Sequence, residues 1–115
     1  MKLLKSKAYR KYMKLDHIAI NVKNVRKSAK WYQENYGAKI RYVDETWASL
    51  MVGDVNIALT VSKQHPPHLA FALDKISDFP EGEEIKYHRD GSAYLYTKDP
   101  DGNTIEYIYW PGGKK

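Results

Sequence analysis

The chain of 115 residues contains no cysteine. Disulfides, zinc–thiolate centres and cysteine nucleophiles are therefore excluded. No run of 18 apolar residues occurs, so no transmembrane helix is expected. The N-terminal stretch is basic but has neither a continuous apolar core nor a small-residue cleavage site, and no secretory signal is read there. A cytoplasmic protein without membrane contact is the expectation. Residues 1–12 also contain no acidic residue, although they carry Lys2, Lys5, Lys7, Arg10 and Lys11. The net charge of +5 resides there, because basic and acidic residues balance at 14 each in the remainder. The excess marks a basic extension over residues 1–13, not a nucleic-acid-binding face of the fold.

What is present is a core-forming composition: 43% hydrophobic residues, with ten Tyr and three Trp. That supports one packed domain at this length. Leu15 to Val22 alternates Ile18, Ile20 and Val22 with His17, Ala19 and Asn21, the period of a strand with two unlike faces. An amphipathic helix follows from Asn24 or Val25 and ends at Gly37, covering the apolar face of that strand. Strands are read over 39–45, 46–52 and 55–61, with Gly53-Asp54 as a tight turn. Pro66-Pro67 stiffens a linker. Further strands are read over 68–73, 83–88, 92–97 and 103–110. Residues 74–82 hold at most one helical turn, and residues 111–115 form a disordered tail.

Two pieces of sequence recur in the same order. His17-Ile18-Ala19-Ile20 matches His68-Leu69-Ala70-Phe71, and the run from Gly53 to Ala58 resembles that from Gly102 to Glu106. A duplicated half-module explains both, with halves at 14–62 and 67–110 inside a single domain over 14–110. Neither half buries its sheet alone, so the two share a sheet curled into a trough. His17, His68 and Glu106 line that trough.

Glu106 lies in a strand otherwise rich in β-branched and aromatic residues, where an unpartnered carboxylate costs several kcal/mol. A Lys or Arg could neutralise it, and a lone strand histidine is ordinarily a surface or core residue. Two imidazoles at equivalent repeat positions with one carboxylate are, however, a usual donor set for a divalent ion with open positions. His65 and His88 have no repeat counterpart and are expected to face solvent, with His88 reaching a pocket as an acid or base as the alternative. The tyrosines of the last strands are read as packing residues.

The segments LDHIAINV, KSAKWYQENYGAKI, HLAFAL and YLYTKDPDGNTIEYI resemble the vicinal oxygen chelate superfamily over residues 14–110. That superfamily groups glyoxalase I, fosfomycin-resistance proteins, extradiol dioxygenases, methylmalonyl-CoA epimerase and bleomycin-binding proteins. The resemblance implies an α+β fold of two paired βαβββ modules forming a curved mixed sheet. It implies metal ligands at His17, His68 and Glu106 and a divalent ion (Fe, Mn, Zn, Ni or Co) as cofactor. The family's fourth position falls on Ala58, where glyoxalase I resembles this pattern but carries a glutamate for proton transfer. Ala19 stands where fosfomycin transferases tend to have threonine. The implied function is a metal-dependent lyase, isomerase or dioxygenase acting on a small oxygenated molecule. The alternatives are an antibiotic-type binding protein and a fosfomycin-type thiol transferase. No catalytic acid or base is assigned. Short relatives resemble homodimers with shared sites, so His17 from one chain is expected to meet His68 and Glu106 of another, with pairing inside one chain as the alternative.

Overall fold

The computed structural model describes residues 14–62, 65–80 and 82–112. The basic extension over 1–13 and residues 113–115 of the expected tail lie outside the described residues. Strand β1 (Lys14–Asn21) leads into helix α1 (Val25–Tyr36). Asn24 caps that helix by accepting a hydrogen bond from the Lys27 N–H at 3.0 Å. Gly37, at φ 69°, ends it in the left-handed conformation that only glycine adopts freely. Strands β2 (Lys39–Val43), β3 (Trp47–Val52) and β4 (Val55–Thr60) follow as a meander. The second half contains β5 (His68–Ala72), a 3-10 turn (Ile76–Asp78), β6 (Lys86–Tyr87), β7 (Ala93–Lys98) and β8 (Thr104–Tyr109).

All eight strands form one mixed sheet in the order β2-β3-β4-β1-β5-β8-β7-β6. Within each half the first and last strands pair in parallel, β1 with β4 and β5 with β8. The halves join where β1 runs antiparallel to β5. The duplication read from sequence is thus a repeat of strand pairing, fused along the first strand of each half.

The two sheet faces separate as the period-two pattern requires. On one face α1 places Val25 and Ala29 against Ala38, Ala48, Leu50 and Leu59. Ile20 of β1 and Val22 just after it pack against the same cluster. Leu50 and Leu59 are fully buried, each contributing about 1.5–3 kcal/mol by leaving water. In the second half the equivalent cluster is Leu73, Phe79, Ala93 and Leu95.

Here the halves differ. The helix of the second module is reduced to the single 3-10 turn, and the strand expected over 83–88 is only Lys86–Tyr87. Pro80 breaks helical hydrogen bonding and Gly82, at φ 86°, turns the chain, so a loop carrying Phe79 and Ile85 covers the sheet in place of a helix. No helix among the described residues is long and apolar enough to cross a membrane.

Candidate metal centre

The site lies on the sheet face opposite these clusters, across the seam between the halves. His17 on β1 pairs with Ala70 on β5, and Ala70 pairs with Glu106 on β8. Paired residues share a face, so the three stand in one row. The middle of that row is only a methyl group, wholly buried, which leaves room for longer side chains to meet above it. His68, two residues before Ala70, projects to the same face.

The three side chains converge within this single chain. His17 Nε2 lies 3.3 Å from Glu106 Oε1, and His68 Nε2 lies 3.2 Å from the same oxygen. The two Nε2 atoms are 3.2 Å apart. One chain supplies all three here, which is the arrangement given above as the alternative to sharing the site between two chains. β1 and β5 are hydrogen-bonded neighbours, so the fold itself brings both imidazoles to the carboxylate.

Each imidazole is oriented from behind. His17 Nδ1 bonds Asp16 Oδ2 at 2.7 Å. Asp16 Oδ1 in turn accepts from the Trp110 indole N–H at 3.1 Å. His68 Nδ1 donates to the Pro66 carbonyl at 2.7 Å, a group placed by the stiff Pro66-Pro67 pair. With each Nδ1 engaged behind the ring, both Nε2 atoms point into the site, where each can donate to Glu106 or, once its proton has left, offer a lone pair to an ion. Asp16 reaches its position through a β-bulge. Leu15 opposes Phe71 and His17 opposes Ala70, so Asp16 is the extra residue and escapes strict alternation.

Burial opposes charge on both His17 and Glu106, and their partners overcome it. On His17, hydrogen bonds to Asp16 and Glu106 outweigh the desolvation cost and raise the pKa to about 9. On Glu106, desolvation is outweighed by hydrogen bonds from His17, His68 and His88, which hold the carboxyl well below the usual range. The carboxylate is 2% exposed, so it stays ionised only because three imidazoles surround it.

His65 and His88 were expected to face solvent, and the structure corrects both. His88 Nε2 donates to Glu106 Oε2 at 3.0 Å, and its ring stacks on Tyr94 with centroids 3.8 Å apart. The reason is pairing: Lys86 lies opposite Tyr94, so His88, one alternation further, shares the trough face of β7. His65 Nδ1 shares a hydrogen bond of 2.9 Å with the Tyr96 hydroxyl. Its carbonyl is fastened by Asn21 Nδ2 at 3.0 Å, which draws the linker over the trough. Burial, then the nearby Glu106 charge, raises the Tyr96 pKa, while desolvation and the neighbouring His88 lower that of His65. Tyr94 and Tyr96 thus border the site, whereas Tyr107 and Tyr109 pack on the opposite face. Ala58 pairs with Ala19 beside the centre, and neither offers a donor.

Among the described residues His17, His68 and Glu106 form the group able to hold a metal ion. Their donor separations suit one. Bonds of about 2.0–2.2 Å put neighbouring donors roughly 3.3–3.5 Å apart in a tetrahedral site and about 3 Å apart in an octahedral one.

The sequence profile of the Glyoxalase/Bleomycin resistance protein/Dioxygenase superfamily matches residues 14–79. Among solved structures, methylmalonyl-CoA epimerase from Mycobacterium tuberculosis is similar, with 17% identity, 83% of this chain and 86% of that chain covered, and a TM-score of 0.67. A hypothetical protein from Bacillus halodurans C-125 shows 17% identity over 90% of this chain and 98% of its own, with a TM-score of 0.68. A superfamily member from Vibrio splendidus 12B01 shows 12% identity over 84% of this chain and 97% of its own, with a TM-score of 0.63. At such identities the likeness is one of fold. No curated protein matches the chain.

Proposed function

Since the chain belongs to the Glyoxalase/Bleomycin resistance protein/Dioxygenase superfamily, we propose that it is a metal-dependent enzyme whose divalent ion is held by His17, His68 and Glu106. Its substrate is a small molecule with two neighbouring oxygens, and its reaction is a lyase, isomerase or dioxygenase step. The observation that carries this reading is the triangle of donor atoms with edges of 3.2, 3.2 and 3.3 Å, oriented from behind by Asp16 and Pro66. A closed structural site would surround the ion with protein donors, whereas three donors leave coordination positions for a ligand. The bound ion supplies Lewis acidity, polarising oxygens that chelate it.

The protein's own residues supply the rest. Tyr96 keeps its proton at neutral pH and shares it with His65, so the pair can hold or pass one proton at the edge of the centre. Ala58 offers no carboxylate for proton transfer, which distinguishes this site from one using a base on β4.

Protein purified in metal-free buffer and then titrated with zinc, manganese, iron(II), cobalt or nickel is expected to bind one equivalent of at least one of these ions. His68→Ala is expected to lose it, as measured by elemental analysis after desalting. Absence of a stoichiometric ion in the unaltered protein overturns the reading and leaves ligand sequestration in the trough. Asp16→Asn tests the support behind His17. It keeps the size of the side chain but weakens the bond that orients the ring, and a loss of about 10–100-fold in metal affinity is expected by calorimetry.

A further inference from the structure

Glu106 does not present its two oxygens alike. Oε1 faces the Nε2 atoms of His17 and His68 at 3.3 and 3.2 Å. Oε2 faces away from them and accepts from His88 Nε2 at 3.0 Å. A carboxylate can bind an ion through one oxygen or both, and which it does decides how many positions remain open.

We propose that His88 is a positioning residue that would hold Oε2 off the ion, so that Glu106 would bind through Oε1 alone and the position a second carboxylate oxygen would fill stays free for a ligand with vicinal oxygens. This rests on the metal reading above. The placement of His88 is strongly determined. Its backbone N–H donates to the Ser92 carbonyl at 2.9 Å, and its carbonyl accepts from the Gly91 N–H at 3.0 Å. Gly91 has φ 92°, which a side chain at that position would oppose. Asp90 Oδ1 accepts from the Ser92 N–H at 2.9 Å and the Ser92 hydroxyl at 2.7 Å, closing the turn. The imidazole is then clamped by its stack on Tyr94, at an interplanar angle of 9°.

His88 therefore differs in role from Asp16. Asp16 acts through an imidazole, and its loss should weaken the hold on the ion. Loss of the His88 N–H frees Oε2 to bind the ion as a further donor. The hold on the ion is then kept, and an open position is lost.

The test uses the full-length chain loaded with zinc and two probes: acetohydroxamate, which chelates through two neighbouring oxygens, and azide, which binds at one point. His88→Phe retains a ring to stack on Tyr94 but has no N–H, and His88→Gln restores an N–H at similar reach. In His88→Phe, zinc affinity is expected to stay within about tenfold of the unaltered protein, short of the larger losses seen when a ligand's orienting partner is removed. Acetohydroxamate affinity is expected to fall about tenfold or more and azide affinity only a few-fold, because Oε2 would fill a position that a two-point ligand needs and a one-point ligand can do without. His88→Gln is expected to recover acetohydroxamate binding. Should His88→Phe not fold, His88→Asn, too short to reach Oε2, carries the same expectation. Equal acetohydroxamate affinity with and without the His88 N–H overturns the inference, as does complete loss of zinc from the variants. Failure of the unaltered protein to bind zinc or any other divalent ion, read in the first titration, overturns the metal reading and takes this inference with it.

Discussion

Replacing Glu106 by glutamine is expected to remove most of the thermal stabilisation that a divalent ion gives this protein. Glutamine keeps the volume and the carbonyl-type oxygen but removes the charge. In the native site that charge faces His17 and His68 through Oε1 and His88 through Oε2. A divalent ion held by two neutral imidazoles and an amide would sit with its full charge in a largely buried place. Removing one partner from a buried charge pair costs about 3–5 kcal/mol, which is roughly 10²–10⁴-fold in affinity. Zinc present at about 1,000 times its dissociation constant adds about 4 kcal/mol to stability. For a domain of this size that corresponds to a rise in Tm of roughly 10 °C or more. Melting curves with and without zinc should show that rise in the unaltered protein and about a third of it or less in Glu106→Gln. A variant whose Tm still climbs with zinc as the parent's does would place the ion elsewhere.

The same side chains show how far the sequence could be read. Period-two alternation in Leu15 to Val22 and its recurrence at His68 located both imidazoles, because a strand's alternation binds a residue to a face whatever its neighbours are. Glu106 was conspicuous as a carboxylate in a β-branched strand. Asp16 was hidden for the same reason that His17 was visible. Strict alternation sends adjacent residues to opposite faces, and only the bulge between Leu15 and His17 overrides it. His65 and His88 lie outside strand interiors, where no periodicity assigns a direction. Their placement depends on a contact distant in sequence, from Asn21 to the His65 carbonyl, and on a turn closed by Asp90 and Gly91. Whether the halves pair within one chain was equally open, since the linker permits either arrangement. Within this chain the antiparallel seam of β1 with β5 joins the two halves. The second module's missing helix has a compositional cause in Pro80 and Gly82, but the short β6 has none that alternation alone would reveal.

Metal binding is also expected to strengthen steeply with pH across the neutral range. In the metal-free cluster His17 has its pKa raised to about 9, because bonds to Asp16 and Glu106 outweigh the cost of burying its charge. At neutral pH its ring is therefore protonated on both nitrogens, Nδ1 toward Asp16 and Nε2 toward Glu106. An ion needs the Nε2 lone pair and must displace that proton. Two consequences have opposite signs. The proton's contribution to the stability of the metal-free fold is complete below the unfolded histidine value of about 6.5 and is lost as pH rises through about 9. The apparent metal affinity, in contrast, rises by about tenfold per pH unit as long as His17 stays protonated before binding. The stabilisation conferred by zinc should thus widen from about pH 6 to about pH 8 and span roughly two decades in apparent affinity. Calorimetry in buffers of different ionisation enthalpy should find about one proton released per zinc bound at neutral pH. Asp16→Asn, which removes one of the groups raising the His17 pKa, should flatten the dependence as well as weaken binding. Zinc affinity that is level across this range, with no proton released, would show that His17 Nε2 is not a ligand.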